Sequence, residues 1–410
     1  MSNNFPDSCV SLLQKMVGFD TINSNISGFP NAERKLAIYL ESFAQNEGWS
    51  TQRLALGDMD NGDFNLLVTL EIEPSQPWLL FESHLDVVTI EGMTIEPFAA
   101  TIEDGKMYGR GACDTKASGA AMIYALKRYQ EKQQSQSSQP NNIGVLFTCD
   151  EEVTKRGALA FAHKQLPQLD FKPKGVIVGE PTMLQPIVAH NGVTRILIRT
   201  HGVAAHSSNP GNGRSAISEM VKVIQLLESE YIPSLTAFHE LTGKAQSSIN
   251  IICAGKQTNI IPDLCEISMD RRVVPGEKTE DILPQIQRVL APLRTANPQA
   301  GIEIEISFLD PSLSPREGAF TDFVNGVLAH FGDVTPQGVP YGTDASNYDA
   351  VGLNAIVLGP GHISQAHTKD EWIEIAQVEK AVEVYLSLMN TPFSTGWFQG
   401  SSAKVFCGVP

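Results

Sequence analysis

The sequence has few cysteines and no CxxC pair, so we expect neither a disulfide framework nor a cysteine-based metal site. The six cysteines are scattered along 410 residues, a distribution typical of reduced thiols in a cytoplasmic protein. No signal peptide is predicted, because the first residues lack a basic stretch followed by an apolar one. The sequence also lacks an apolar run long enough to cross a bilayer. These absences together predict a cytoplasmic protein.

Positive charge is scarce. Lysine and arginine number 30 against 46 aspartate and glutamate residues, which gives a formal net charge of -16. So acidic a chain is repelled by nucleic acids and anionic membranes, and we expect neither as a partner. The length and composition suit an enzyme of two or three domains that acts on a small molecule.

The sequence does contain short apolar segments that end abruptly in charged side chains. Segment 144–149 is followed by three acids at 150–152, and segment 175–179 is followed by Glu180. Burying these carboxylates without a cation to receive them would be costly. Acids also favour a solvated helix N-terminus, so segment 150–152 alone leaves both interpretations open.

Histidine and aspartate extend this pattern. Segment 77–83 leads into His84 and Asp86, which point to the same side of an extended chain because side chains alternate along it. A carboxylate beside a histidine is the arrangement that orients an imidazole ligand, although a lone histidine at a strand end is usually structural. Asp114 lies in a glycine-rich loop that lacks the GxxxxGK[ST] pattern of phosphate-binding loops. Asp114 also fits a simple helix N-cap.

Short apolar strands that alternate with helices predict a parallel sheet in an α/β layer. The functional site of such a sheet lies beyond the carboxyl ends of its strands. Seven side chains of metal-binding type fall at or just after predicted strand ends: His84, Asp86, Asp114, Glu151, Glu152, Glu180 and His367. Because one zinc ion needs three or four ligands, this set suits two ions that share a bridging carboxylate. Nitrogen and oxygen donors without cysteine favour a borderline or hard divalent ion such as Zn²⁺, Co²⁺ or Mn²⁺.

Such a site predicts hydrolysis. Paired ions about 3.5–4 Å apart clamp a hydroxide and polarise a carbonyl, as in aminopeptidase-type hydrolases. One carboxylate should stay free to take the proton of the water and pass it to the leaving amine. The adjacent Glu151 and Glu152 can divide the roles of base and ligand.

The middle of the sequence has a different order of predicted strands and helices. Between residues 188 and 310 the predicted elements follow the order βαββαβ, which is typical of a ferredoxin-like unit. We therefore predict an inserted domain at 188–310 within a discontinuous catalytic domain made of 1–187 and 311–410. A last helix is predicted over 371–389, opened by a capping box of Thr368 and Glu371.

Six segments together resemble the co-catalytic zinc amidohydrolases, a family that includes acetylornithine deacetylase, succinyl-diaminopimelate desuccinylase, glutamate carboxypeptidase and several di- and tripeptidases. These segments span almost the whole chain in order: SHLD at 83–86, YGRGACDTK at 108–116, TCDEE at 148–152, GEPT at 179–182, GVAAHSS at 202–208 and QAH at 365–367. The resemblance implies an α/β catalytic domain with a mixed, largely parallel sheet. It also implies that the inserted βαββαβ domain is a lid and dimerisation domain.

The resemblance assigns the metal ligands. Asp114 would bridge two zinc ions. His84 and Glu180 would complete one metal site, and Glu152 and His367 would complete the other.

The resemblance also assigns three residues to catalysis. Asp86 would support His84, and Glu151 would act first as general base and then as acid. His206 would stabilise the oxyanion, often from the partner subunit of a homodimer. Nothing in the sequence around His206 distinguishes it from a loop histidine, so this role comes from the resemblance alone.

Within the family, segments 179–192 and 358–371 look most like acetylornithine deacetylases. The expected reaction is therefore hydrolysis of an N-acyl amino acid, N²-acetylornithine, to acetate and the free amine. A succinyl-diaminopimelate desuccinylase, or an aminoacylase or dipeptidase, would share the same catalytic residues and remains an alternative.

The resemblance implies substrate binding by four further residues: Asn259, Arg272, Gly342 and Thr343. The alternating pattern of its strand places Arg272 on the polar face with Asp270 and Glu266. Arg272 can therefore bind a substrate carboxylate through its guanidinium fork, or simply pair with one of these acids within the sheet.

Overall fold

The computed structural model describes residues 5–57, 62–133, 141–332 and 334–394. Its strands are, in chain order, β1 Ser50–Ala55, β2 Phe64–Leu70, β3 Trp78–His84, β4 Thr101–Glu103, β5 Lys106–Tyr108, β6 Asn142–Thr148, β7 Pro173–Val178, β8 Ile187–His190, β9 Gly192–His201, β10 Ala205–His206, β11 Phe238–His239, β12 Gly243–Lys244, β13 Gln246–Ala254, β14 Ile260–Ile261, β15 Leu264–Val273, β16 Glu303–Asp310, β17 Gln337–Val339, β18 Ala355–Val357 and β19 Trp372–Glu374.

The α-helices include several whose buried apolar residues recur with helical spacing. In chain order they are α1 Cys9–Val17, α2 Ser24–Ser27, α3 Arg34–Asn46, α4 Lys116–Gln133, α5 Arg156–Ala160, α6 Ala216–Leu226, α7 Ile232–Ser234, α8 Ile282–Ala296, α9 Ala319–Leu328, α10 Ala345–Ala350 and α11 Ile375–Asn390. Within the part of the chain that the structure describes, no helix is long and apolar enough to span a membrane.

Contacts between residues group the chain into two compact units. The first unit comprises residues 1–186, 316–336 and 351–410, and the second comprises 187–315 and 337–350. The sequence-based division into 1–187 with 311–410 and 188–310 differs from these units chiefly at 337–350. This segment groups with the second unit because β17 pairs in parallel with β8. The division into functional domains itself stays a prediction.

The sheet of the first unit carries the predicted site. Its strands lie in the order β1-β2-β6-β3-β7-β18, and β6, β3, β7 and β18 run parallel to one another. The outer strands β1 and β2 are antiparallel. Every residue of β6 is buried, as expected for a strand covered on both faces. The carboxyl ends of the parallel strands therefore lie along one edge, and the predicted mixed, largely parallel sheet is confirmed.

The second unit contains a separate four-stranded antiparallel sheet. Its order, β13-β15-β9-β16, and the intervening helices α6 and α8 give the predicted βαββαβ arrangement. Alternate residues of β15 face the core, and Cys265, Ile267 and Met269 are buried there as the period-two pattern predicts.

The predicted start of the last helix is wrong. Residues Trp372–Glu374 form β19, which pairs with β5, and α11 begins only at Ile375. Glu371 does not cap the helix, because its carboxylate accepts hydrogen bonds from the loop that contains Asp114.

Candidate metal centre

The structure brings all seven predicted metal-type side chains together in the first unit. His84 is the last residue of β3, the acids 150–152 follow β6, and Glu180 lies two residues beyond β7. Asp114 lies just before α4, and His367 lies in the loop between β18 and β19. This edge is the one that the strand-end argument predicted.

Asp114 lies at the centre of this cluster. Its Oδ1 is 3.2 Å from His84 Nε2, and its Oδ2 is 3.3 Å from His367 Nε2. His84 Nε2 also lies 3.8 Å from Glu180 Oε1, and His367 Nε2 lies 3.0 Å from Glu152 Oε2. Each oxygen of Asp114 thus faces a different histidine, with a second carboxylate on either side.

This arrangement fits two divalent ions. His84, Asp114 and Glu180 each present one donor atom within 4.8 Å of the others, and so do Asp114, Glu152 and His367. Both groups combine imidazole nitrogen with carboxylate oxygen, which suits Zn²⁺, Co²⁺ or Mn²⁺. Asp114, which belongs to both groups, is the residue positioned to bridge them.

The histidines of the cluster hold protons tightly. Burial alone would lower the pKa of His84, but hydrogen bonds to Asp114 and Asp86 outweigh it and raise the pKa well above its usual value. Hydrogen bonds to Asp114 and Glu152 raise the pKa of His367 to about 11. A metal ion that bound these nitrogens would have to displace the protons.

The carboxylates of the cluster repel one another. Burial, followed by the charge of Asp114, raises the pKa of Glu152 to about 8 and that of Glu180 well above its usual value. Burial also raises the pKa of Glu151, although the nearby Lys155 opposes the shift. These three glutamates therefore resist ionisation, and a nearby dication would favour their charged form.

Asp86 contacts His84 and also holds the acidic loop that follows β6. Its Oδ1 lies 3.4 Å from His84 Nδ1. The same carboxylate also accepts the backbone N–H groups of Glu151 and Glu152, at 3.0 and 3.1 Å. Asp86 is fully buried, so it fixes the histidine and the acidic loop to one rigid anchor.

Several residues at the site were not predicted from sequence. Asn23 donates from Nδ2 to both Asp86 and Asp150, at 2.7 and 2.6 Å, and Lys155 Nζ lies 3.2 Å from Glu151 Oε1. Glu82 is buried two residues before His84, and burial raises its pKa to about 7. Of these residues, Glu82 is the one that a sequence pattern could have indicated, because in an extended strand it shares a face with His84.

The backbone at the site takes unusual conformations. Asp150 and His367 have φ angles of 64° and 58°, in the left-handed region that non-glycine residues rarely adopt. Such residues concentrate at functional sites. A cleft of about 370 Å³ opens beside His367, lined also by Arg110, Glu91 and Lys369.

Two of the remaining predicted site residues lie together in the second unit. His206 is exposed on the short strand β10, which pairs with β14, and Ser207 N–H donates to the carbonyl of Asn259 at 3.0 Å. The N–H of Ser208 donates to His206 Nδ1 at 3.1 Å. A neutral imidazole with that hydrogen bond carries its own proton on Nε2 and can donate it to a ligand.

Arg272 pairs with an acid of its own strand, which is the second of the two possibilities that the sequence leaves open. Its Nε donates to Asp270 Oδ1 at 2.7 Å on the same strand, and its side chain is 38% exposed. Glu266, the other candidate partner, pairs instead with Arg199. A substrate carboxylate would have to share Arg272 with Asp270.

Gly342 and Thr343 also lie in the second unit. Thr343 is buried and its backbone N–H donates to His190 Nε2 at 3.3 Å. Its hydroxyl accepts the N–H of Ala345 at 3.2 Å and so caps the first turn of α10. Gly342 is half-buried in the same loop. These contacts give Thr343 a structural role whether or not it meets substrate.

Comparison with known proteins gives the same family as the site. The model of peptidase family M20/M25/M40 matches residues 80–391. An acetylornithine deacetylase of Proteus mirabilis (strain HI4320) is 30% identical over 380 residues, covering 92% of this chain and 94% of the relative. One from Myxococcus xanthus is 27% identical over 392 residues, with 94% and 97% covered.

Solved structures agree on the fold. An M20 family metallo-carboxypeptidase from Sulfolobus solfataricus superposes with a TM-score of 0.74 at 17% identity, covering 94% of this chain and 99% of the other. A dinuclear metal-binding M20 peptidase from Bacillus subtilis gives 0.66 at 15% identity, covering 95% and 100%. The chain therefore belongs to peptidase family M20/M25/M40, as the sequence predicted. It is a metal-dependent hydrolase that acts on amide bonds.

Proposed function

We propose that this protein removes the acyl group from an N-acylated amino acid, and that its substrate is N²-acetylornithine in arginine biosynthesis. The observation that carries the proposed chemistry is Asp114, whose two oxygens face His84 and His367 at 3.2 and 3.3 Å. The choice of substrate is supported by the similarity to acetylornithine deacetylases over more than nine-tenths of the chain.

Five residues would hold two Zn²⁺ ions, with Co²⁺ or Mn²⁺ as substitutes. In this proposal Asp114 is shared, His84 and Glu180 complete one site, and Glu152 and His367 complete the other. When bound, the ions supply Lewis acidity that polarises the amide carbonyl and makes water acidic at neutral pH.

Glu151 is the residue that we assign to proton transfer. It belongs to neither group of donors, yet it is held beside them because its N–H donates to Asp86. Lys155 lies against Oε1, so we assign the proton to Oε2. Burial raises the pKa of Glu151, which brings a general base closer to the working pH. Glu151 takes the proton of the attacking water and returns it to the leaving amine.

Residues of the second unit complete the proposal. His206 would donate a hydrogen bond from its Nε2–H group to the oxyanion as the tetrahedral intermediate forms. Asn259, Arg272, Gly342 and Thr343 would bind the rest of the substrate. The geometry within the second unit is compatible with a donor at His206, because the hydrogen bond from Ser208 leaves the ring proton on Nε2.

We further propose a cytoplasmic homodimer that associates through the inserted domain. Strand β13 lies at one edge of the four-stranded sheet, and its Ile251 and Ile252 are 57% and 55% exposed. A long sheet edge with exposed apolar side chains is a surface suited to pairing with a second chain. No nucleic acid or membrane partner is proposed, because the net charge is -16.

The test is amide hydrolysis on a panel of N²-acetylornithine, N-succinyl-diaminopimelate, N-acetylmethionine and a dipeptide, each with and without a chelator. The expected result is a kcat/KM for N²-acetylornithine well above the others, lost on chelation. Chelator-sensitive activity that peaks on the succinyl compound, N-acetylmethionine or the dipeptide would keep the chemistry and overturn the substrate. Activity that survives complete removal of metal would overturn the proposed site.

A further inference from the structure

Glu371 is a buried carboxylate that the proposed reaction does not use. Its Oε1 accepts the backbone N–H groups of Cys113 and Asp114, at 2.8 and 3.0 Å, and its Oε2 accepts that of Gly111 at 3.1 Å. Arg110 Nη1 donates to the same Oε2 at 2.8 Å. Glu371 therefore binds the whole turn that presents Asp114, including the N–H of Asp114 itself.

Arg110 connects this turn to the segment that carries His367. Its Nη2 donates to the carbonyl of Thr368, the residue after His367, at 3.2 Å, and its Nε donates to the carbonyl of Thr89 at 3.1 Å. Glu371 is itself only four residues beyond His367. The loops that carry Asp114 and His367 are thus joined by a second set of contacts behind the donor atoms.

From these contacts we infer that Glu371, with Arg110, is a positioning residue for the proposed metal ligands Asp114 and His367. The inference rests on the proposed metal function. Both side chains are almost inaccessible to solvent, at 1% and 3% exposure. Loss of either side chain would leave the other charge buried without its counter-ion, so the pair favours the observed placement of both loops.

A charged carboxylate is needed at this position. In the part of the chain that the structure describes, N–H groups donate to both oxygens of Glu371, so an amide in its place would turn an N–H group toward another N–H group. Partners of this kind that orient ligands from behind typically change metal affinity about 10–100-fold when they are altered. A shift of the Asp114 turn would affect both metal groups, because Asp114 belongs to both.

The test compares two arginine–glutamate pairs, both with a buried arginine. Glu277 in the second unit pairs with buried Arg271 and accepts the Val274 N–H at 2.9 Å, a similar arrangement without a proposed ligand. Dissociation constants for Zn²⁺ and Co²⁺ would be measured by chelator competition for the wild-type protein, Glu371→Gln and Glu277→Gln. The visible absorption spectrum of the Co²⁺ form reports on ligand geometry.

We expect Glu371→Gln to weaken metal binding about 10–100-fold and to change the Co²⁺ spectrum, while Glu277→Gln keeps wild-type affinity. Folded Glu371→Gln with wild-type affinity and spectrum would overturn the inference. If that variant does not fold, Arg110→Lys decides the matter. Lysine keeps the positive charge but lacks the guanidinium N–H groups that donate to the carbonyls of Thr89 and Thr368. Wild-type metal affinity in this variant would again overturn the inference.

Two further outcomes separate this inference from the proposed function. If both variants fail to fold while Glu277→Gln folds, the pair is a folding requirement and the positioning role is overturned. If the wild-type protein itself binds neither ion, the proposed function fails first, and the inference falls with it.

Discussion

Glu151 and Glu152 are neighbours in sequence whose side chains have different partners. Glu151 lies against Lys155, whereas Glu152 lies 3.0 Å from His367. The backbone N–H groups of both residues are held by the same carboxylate, Asp86. Because the two side chains diverge from one anchored turn, one can serve as a metal ligand while the other stays available for proton transfer.

Substituting Glu151→Gln tests this division of roles. The amide keeps the shape of the side chain but cannot take a proton, so kcat should fall about 10²–10⁴-fold. Metal content should stay at the wild-type level, because Glu151 is outside both donor groups. Steady-state kinetics and metal analysis of the purified protein measure the two quantities. Glu131→Gln, at an exposed position of α4, is the control, and a wild-type rate in Glu151→Gln would contradict the assignment.

The raised pKa of Glu152 predicts that metal affinity depends on pH. Burial and the charge of Asp114 raise this pKa from 4.5 to about 8, so the side chain is largely protonated below that pH. A metal ion binds the ionised carboxylate and must displace the proton. The apparent affinity for Zn²⁺ should therefore rise as the pH increases from about 6 to 8, with release of protons on binding.

Calorimetry in buffers of different ionisation enthalpy measures both the affinity and the number of protons released. The free energy of unfolding of the metal-free protein, prepared with a chelator, should fall as the pH rises. Because the folded pKa of Glu152 lies above its ordinary value, its contribution to stability is present at low pH and is lost as the pH rises through about 8. Affinity independent of pH over this range would contradict the raised pKa of Glu152.

At the scale of secondary-structure elements, the features predicted correctly from the sequence are those encoded by patterns of a few neighbouring residues. The apolar strands that end in His84, Glu151 and Glu180 were visible because strand-end chemistry is encoded within a few residues. Glu371 was misassigned because Thr368 and Glu371 form a plausible capping box, whereas its true partners lie more than 250 residues away in sequence. No local pattern reports a contact of that separation.

Asn23 could not be predicted for the same reason, since it meets Asp86 and Asp150 across 63 and 127 residues. The helix α4 shows a second limit of periodicity. The sequence suggests an amphipathic helix over 118–132, but the first eight residues, Lys116 to Ile123, are all buried. Tertiary packing on every side of a helix removes the contrast between faces on which the pattern depends.

The close packing of α5 against the end of β6 gives a prediction at this scale. A Cβ atom on Gly157 would lie 2.4 Å from the Cys149 carbonyl oxygen and 2.8 Å from Asn65 Oδ1. Because the nearest atoms belong to the backbone, Gly157→Ala must displace the turn that carries Glu151. We expect a loss of about 1–3 kcal/mol in the free energy of unfolding and weaker metal binding.

Chemical denaturation and metal titration of the same preparation measure these effects. Gly211→Ala is the matched control, because a Cβ atom there meets no described atom within 4 Å. A Gly157→Ala variant as stable as the control would mean that the turn after β6 tolerates displacement.

At the scale of the whole molecule, the residues assigned to catalysis are divided between the two compact units. The five proposed metal ligands and Glu151 belong to the first unit, and His206 belongs to the second. His206 is exposed on its strand, and the dimer proposed above would associate through β13 of the same unit, where Ile251 and Ile252 are exposed. A dimer thus allows two arrangements, in which His206 serves either its own subunit or the partner.

Mixing two inactive variants distinguishes these arrangements. Glu151→Gln lacks the base, and His206→Ala lacks the proposed oxyanion donor and should lose about 10²–10³-fold in kcat. If His206 acts across the dimer, a heterodimer of the two variants contains one site with both residues intact. Random exchange of subunits should then restore about one quarter of wild-type activity, because half of the dimers are mixed and half of their sites are complete.

The mixture must be compared with each variant alone, after light scattering has established the dimer and labelled subunits have shown that exchange occurs. Activity that stays at the sum of the separate variants, with exchange demonstrated, would mean that His206 serves its own subunit. A monomeric wild-type protein with full activity would exclude action across a dimer altogether. Wild-type kcat in His206→Ala would remove the residue from the mechanism and leave its exposed position on β10 without a catalytic role.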